Sequence, residues 1–205
     1  MPKEWIRKRK REHYYKEAKR EKYRSRAAYK LLQAVKRYRF MKSGDVVVDL
    51  GAAPGGWIRA SQKIVGSKGF VLGVDLEQIL PFNSSNVRTL IGDIRESQIV
   101  QQIKDFMPHH ADVVISDVAP NVSGVWELDH ARQIDLAKQS LRIATLVLRP
   151  GGNFFVKTFQ GSMLDDFVRE VRRHFVRVKR VKPKASRAKS AELYVLGISL
   201  NKCEN

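Results

Sequence analysis

The order of strand-like and helix-like segments in this 205-residue chain predicts an α/β fold: a mostly parallel seven-stranded sheet with helices on both faces and an antiparallel last strand. Three observations carry that prediction. Short β-branched and aromatic runs alternate with helix-length segments, the pattern of parallel strands joined by crossover helices. Asp49, Asp75, Asp93 and Asp117 each fall at or just past the C-terminal end of such a run, where open α/β sheets place their ligands. The closing pair of runs is joined by a connection too short for a crossover helix, so that pair is expected to be antiparallel.

In chain order, residues 3–22 are mostly Arg, Lys, Glu and Tyr. They suit an exposed helix or a partly disordered arm that orders on a partner. From Ser25, a plausible cap, Ala27, Ala28, Leu31, Leu32 and Val35 recur at helical spacing, which predicts an amphipathic helix to about Phe40 with Lys30 in its middle. Val46-Val47-Val48, ending in Asp49 and followed by glycines, reads as a buried strand. A helix over 55–65, strands at 70–75 and 87–91, a helix near 95–106 and a strand at 112–117 follow. The long apolar-periodic segment 127–148 is a helix ended by Arg149-Pro150-Gly151-Gly152. A strand over 153–158, a helix over 162–173 and strands over 174–181 and 192–200 complete the series.

The formal net charge is +18, and its distribution is informative. Residues 1–42 hold 17 Lys and Arg against 4 Glu, and residues 169–190 hold 10 against 1, around a slightly acidic centre. Such blocks are the footprint of a polyanion, because neutralising phosphates releases counterions. Nucleic acid is the expected partner. A membrane surface is disfavoured, since the basic segments lack an exposed apolar strip. The single cysteine, Cys203, excludes an intrachain disulfide and a cysteine-based zinc site, and no metal is expected. With no apolar leader and no long apolar span, a soluble protein of the reducing cytoplasm is expected.

The loop Asp49-Leu50-Gly51-Ala52-Ala53-Pro54-Gly55-Gly56-Trp57 has three residues between its first two glycines and no Lys-Ser/Thr ending, so it is neither the dinucleotide fingerprint nor a P-loop. Its glycines would let backbone approach a ligand closely, and the N–H groups of the helix starting near Gly55 could hold the carboxylate of S-adenosylmethionine. A nearby acid would hold the α-amino group. Asp75 lies where an acid binds ribose hydroxyls, and Asp93 could accept from the adenine amino group. Lys157 interrupts the apolar strand Asn153-Phe154-Phe155-Val156, where an unpaired ammonium would be costly, so a paired functional role is expected. Pro120 to Gly124 resembles a mobile substrate-side loop. His109-His110 reads as a solvated connection, and His130 and Tyr194 could touch RNA. Tyr14, Tyr15, Tyr23 and Tyr29 among basic residues suit base stacking or core packing.

Over about residues 24–200 the chain resembles the FtsJ-type ribose 2′-O-methyltransferases, in particular those acting on large-subunit ribosomal RNA. The matching pieces are Ser25 to Leu31, Asp49 to Trp57, Ser116-Asp117-Val118-Ala119-Pro120-Asn121, Phe155-Val156-Lys157-Thr158-Phe159, Ser186-Arg187 and Ser190-Ala191-Glu192-Leu193-Tyr194. The resemblance implies a Rossmann-like class I methyltransferase fold over residues 24–205, preceded by a basic RNA-binding arm at 1–23. It also implies a catalytic Lys30, Asp117, Lys157, Glu192 tetrad and S-adenosylmethionine contacts at Asp49, Gly51, Gly55, Gly56, Trp57, Asp75, Asp93 and Asp117. The implied substrate is a ribose, that of a uridine, in ribosomal RNA within the large subunit. Transfer RNA, a messenger-RNA cap, or a nonenzymatic role in ribosome assembly would use the same basic blocks.

A ribose 2′-hydroxyl is a poor nucleophile, so it must be aligned with the methyl–sulfonium bond and its proton managed. Lys157 is the expected agent. A nearby Lys30 and burial would favour a neutral, proton-accepting amine, whereas Asp117 and Glu192 would favour an ammonium that orients the hydroxyl and stabilises alkoxide charge.

Overall fold

A computed structural model describes residues 27–186 and 190–201. The arm at 1–23, Ser25, Tyr14, Tyr15, Tyr23 and Arg187 lie outside these residues. The elements are α1 (Ala28–Tyr38), β1 (Val46–Leu50), α2 (Gly56–Val65), β2 (Phe70–Asp75), β3 (Val87–Ile91), α3 (Ile99–Phe106), β4 (Ala111–Ser116), α4 (Trp126–Val147), β5 (Leu148–Phe159), α5 (Leu164–His174), β6 (Phe175–Val181) and β7 (Glu192–Leu200). They form one seven-stranded sheet in the order β3-β2-β1-β4-β5-β7-β6. The predicted α/β architecture holds, and the reversed strand is β7. It runs antiparallel to both β5 and β6 and lies between them.

Burial on both faces explains why β1 is an unbroken apolar run rather than an alternating one. Val46, Val48 and Leu50 join Leu72, Val114, Phe154 and Val156 in a core closed by α3, α4 and α5. Val47, Val71, Val113, Ile115 and Phe155 point the other way, into a core closed by α1 and α2. Side chains alternate along a strand, so Lys157 emerges on the α1–α2 face with Phe155, opposite Tyr194 of β7. That placement brings an N-terminal helix and a C-terminal strand to one spot.

Three elements depart from the sequence expectation. Helix α3 starts at Ile99 rather than near 95, because Asp93 Oδ1 accepts the Arg95 N–H at 2.9 Å and this local turn competes with helix. Strand β5 starts at Leu148, since Ala111 pairs with Leu148 before a register shift absorbs the Pro-Gly-Gly stretch. Asp49 sits inside β1 and is fully buried, whereas Asp75, Asp93 and Asp117 reach the strand ends. Among the described residues no helix is long and apolar enough to cross a membrane, and no three His, Cys, Asp or Glu side chains are grouped to hold a metal.

Candidate functional site

The glycine loop between β1 and α2 is fastened from beneath and from one side. Gly51 and Ala52 N–H groups donate to the Val74 carbonyl at 2.8 and 3.1 Å. Asp75 Oδ2 accepts the Ala53 N–H at 2.8 Å, and its Oδ1 accepts that of Glu77 at 2.9 Å. Gly51 has φ +73 and Gly55 φ +102, a left-handed backbone that favours glycine. No side chain caps the first turn of α2, so its leading N–H groups are available to an anion.

Beside the loop lies a cavity of about 860 Å³ whose lining includes Gly51, Ala53, Asp75, Asp93, Asp117 and Asn121. Asp93 is engaged in a forked pair with Arg95, with contacts of 3.0 and 2.6 Å to its Oδ2, and the Arg95 hydrogen bond holds its carboxyl below the ordinary aspartate value. A ligand amino group would share that carboxylate with the guanidinium. Asp117 accepts on Oδ1 alone among the described residues, which leaves Oδ2 for a ligand cation or hydroxyl.

The side chains of two expected contacts, Trp57 and Asp49, are outside the cavity lining. The Trp57 indole is buried against Phe155 and Tyr194 and its Nε1–H donates to the Ala27 carbonyl at 2.8 Å, so its side chain ties α2 to α1. Asp49 lies under the loop, and neither carboxylate oxygen is hydrogen-bonded among the described residues. Burial, then the charges of Asp117 and Asp75, pushes its carboxyl well above the ordinary value. Gly55 and Gly56 form the turn into α2 and are outside the cavity lining.

Asp117, which lines this cavity, pairs with Lys157, and Lys30 pairs with Glu192 beside them, so that elements distant in sequence meet as two ion pairs. Lys30 of α1 meets Glu192 Oε2 of β7 at 2.7 Å across 162 positions of sequence. Lys157 Nζ lies 3.3 Å from Asp117 Oδ1 and also donates to the Asp117 backbone carbonyl. One N–H is thereby directed at the Asp117 carbonyl while the ammonium pairs with the carboxylate, and an ammonium has three donors in all.

Tyr194 joins the pairs. Its ring is fully buried, stacks on Phe155 with centroids 4.7 Å apart, and carries Lys30 Nζ 6.0 Å from its centroid. Its hydroxyl donates to Asp117 Oδ1 at 2.9 Å. Burial, then the Asp117 and Glu192 carboxylates, pushes the phenol well above the ordinary tyrosine value, so it remains a donor. The suggested RNA contact by Tyr194 is therefore corrected to an internal one, the same correction applies to the buried His130, and Tyr29 takes the core-packing alternative. His109 and His110 are exposed, as expected. The signal for Tyr194 was its spacing two residues beyond Glu192, which puts both side chains on one face of a strand.

Burial pushes the Glu192 carboxyl up, but Lys30, the Ser186 hydroxyl and Lys157 pull harder and leave it below its ordinary value. A carboxyl lowered on folding adds stability that is present above its unfolded value, near 4.5, and is lost as pH falls through the folded value. Glu192→Gln is expected to lower stability at neutral pH by about 1–3 kcal/mol, between exposed and fully buried pairs. Denaturant unfolding followed from neutral to acid pH should show a shallower acid loss than the wild type; identical profiles would refute the pairing as a source of stability.

A glycine loop, strand-end acids around one cavity and two lysine–carboxylate pairs beside it suit methyl transfer, and proteins similar to this chain are named as methyltransferases. The chain is 50% identical over 195 residues to Ribosomal RNA large subunit methyltransferase E of Methanococcus aeolicus, covering 95% of this chain and 72% of that protein. Its structure resembles that of a Plasmodium falciparum protein assigned as a ribosomal RNA methyltransferase, with a TM-score of 0.77, 25% identity and coverage of 87% and 98% of the two chains. The fold is shared with Aeropyrum pernix fibrillarin, solved with S-adenosyl-L-methionine bound, at a TM-score of 0.59, 20% identity and coverage of 86% and 75%. The family described as FtsJ-like methyltransferase matches residues 23–200, and this chain belongs to that family.

Proposed function

We propose that the protein is an S-adenosylmethionine-dependent methyltransferase of large-subunit ribosomal RNA that acts on a ribose 2′-oxygen, with uridine the favoured nucleotide. The observation that carries this reading is the paired Lys157 ammonium, aimed by Asp117 and Tyr194 beside the acid-lined cavity. When bound, S-adenosylmethionine supplies an electrophilic methyl group on a sulfonium. The donor set suits it: uncapped α2 N–H groups for its carboxylate, Asp117 Oδ2 for its ammonium, and Asp75 for its ribose hydroxyls. Lys157 holds the attacking hydroxyl through an N–H and stabilises the negative charge that grows on that oxygen as its proton leaves to water. Lys30 and Glu192 position Lys157 by filling the neighbouring charge positions, and Tyr194 keeps Asp117 turned toward the ammonium.

Incubation with radiolabelled S-adenosylmethionine and separate pools of ribosomal subunits, free ribosomal RNA and transfer RNA tests the reaction. Label is expected at one ribose 2′-oxygen of large-subunit RNA; label on a base, or on transfer RNA alone, would overturn the assignment.

The basic residues 1–23 are proposed to be a phosphate-binding arm, supported by the charge block there. Deleting residues 1–22 is expected to weaken RNA binding and to flatten its dependence on salt, because each lost phosphate contact removes roughly 0.7–0.9 from the log–log slope. An unchanged slope in a salt titration would remove the arm from the interface.

A further inference from the structure

Large apolar side chains remain exposed at the loop after Asp117 and the start of α4, namely Val122, Val125, Trp126 and Leu128, with Met163 nearby. Trp126 is the one with a flat aromatic surface. It is 44% exposed, yet its ring is fixed against Phe159, with centroids 5.9 Å apart and planes at 26°, and against His130 at 6.1 Å and 17°.

The His130 support is itself held. His130 Nε2 accepts the Met163 N–H at 3.1 Å, and the Gly161 backbone lies so close that a Cβ there would come within 2.6 Å of the imidazole. Burial lowers the His130 value, which favours the neutral ring. The Asp129 carboxylate accepts from the Ser123 N–H and hydroxyl and from the Gly124 N–H at 2.7 to 3.1 Å, fastening the loop to the first turn of α4. An aromatic surface fixed in advance loses little freedom when a ligand stacks on it.

Its position ties it to the reaction. Phe159 lies two residues beyond Lys157 on β5 and opposite Glu192 in register, so Lys157, Phe159 and Glu192 share one face of the sheet and Phe159 is about 7 Å along the strand from Lys157. We infer that the exposed indole of Trp126 stacks on the nucleobase flanking the ribose to be methylated. The inference rests on the RNA-methyltransferase reading above. A nucleobase suits the place better than an apolar peptide, because it is a flat π-surface joined to phosphates and the chain is strongly basic. Stacking of this kind tolerates any base, so the platform sets position rather than sequence.

The test uses the full chain carrying Trp5→Phe, so that Trp126 and the buried Trp57 report fluorescence. Titration with a short single-stranded adenylate oligonucleotide should quench Trp126, while an abasic strand of the same charge should not. Trp126→Ala should weaken oligonucleotide binding by about 5- to 150-fold and raise KM for ribosomal RNA, with S-adenosylmethionine affinity unchanged as evidence of an intact fold. Trp126→Phe should retain most of the binding, and Trp126→Leu, which keeps apolar contact with Phe159, should behave like alanine. Equal binding by the leucine and phenylalanine variants, or quenching by the abasic strand, would overturn base stacking. If Trp126-dependent quenching is present but the wild type transfers methyl to no RNA, the reaction assignment fails and the platform stands. If the wild type methylates RNA and Trp126→Ala changes neither binding nor KM, the platform fails and the reaction stands.

Discussion

Lys157→Ala is expected to reduce methyl transfer by on the order of 10²–10⁴-fold while leaving S-adenosylmethionine and RNA affinity nearly intact. The size follows from where the ammonium sits. It is 7% exposed, and its partners are a carboxylate and a carbonyl of the same residue, Asp117. Under the proposed mechanism it would act on a bound hydroxyl from a recessed position where screening is weak, and its effect would be greatest as charge grows on that oxygen. Binding of the long RNA draws on many phosphate contacts, so loss of one recessed cation changes it little. Lys157→Met keeps much of the stem volume and separates lost charge from lost packing; it should be as inactive as the alanine variant. Lys157→Arg should also fail, because a planar guanidinium cannot keep the single directed N–H of the ammonium in the same recess. Single-turnover methylation with saturating cofactor and RNA reads the chemical step. Transfer within tenfold of the wild type in the alanine variant would remove Lys157 from the reaction.

The nonenzymatic reading of the chain makes a different prediction for these variants, since RNA binding would then be the whole activity and would survive all three. The two ion pairs argue against it on physical grounds. Two lysines and two carboxylates brought together from α1, β4, β5 and β7 cost desolvation, and hydrophobic replacements of buried pairs are often as stable. The proposed chemistry at the adjoining cavity would account for their pairing there.

What could be read from the sequence depended on whether a residue's role was local. Lys157 was legible because a charge in an apolar strand must be paired or functional, and the glycine loop because its spacing and positive-φ positions are properties of one short segment. Glu192 was legible only through resemblance, since the Lys30 that pairs with it is 162 residues away and nothing in its own neighbourhood marks it. Trp57 was implied as a cofactor contact by the resemblance alone, and its indole turns back to the Ala27 carbonyl, a partner set by how α1 packs on α2. Asp49 shared the strand-end pattern of Asp75 and Asp117, and one more residue of strand, Leu50, is enough to put it under the loop. The antiparallel pairing of β6 and β7 followed from a short connection, whereas insertion of β7 beside β5 is a long-range choice. That insertion places Tyr194 opposite Lys157, so local spacing put Tyr194 on the face of Glu192 but did not mark its hydrogen bond to Asp117.

Gly51→Ala is expected to weaken S-adenosylmethionine binding at least about tenfold and to destabilise the fold, because the loop and the wall that faces it cannot both stay in place. A Cβ at residue 51 would lie 2.5 Å from Val118 Cγ2 and 2.9 Å from both Cα and N of Val118. Two of those atoms are backbone, so the clash cannot be relieved by a rotamer change. Relief would move Val118, and with it Asp117, whose N–H donates to the Leu50 carbonyl at 3.2 Å and whose carboxylate lines the cavity. The left-handed φ of +73 adds a cost of about 1–2 kcal/mol, and overpacking adds about 1–3 kcal/mol. Gly44→Ala separates these terms: its φ is +87 with nothing within 4 Å of the added Cβ, and it lies in the turn before β1, at the opposite end of that strand from the loop. Gly44→Ala should therefore lose only the backbone cost and bind cofactor normally. Denaturant unfolding and calorimetric titration with S-adenosylmethionine read both quantities. Cofactor affinity preserved in Gly51→Ala would mean that the loop and the Val118 wall do not form the cofactor's seat, and the site would have to lie elsewhere along the strand ends.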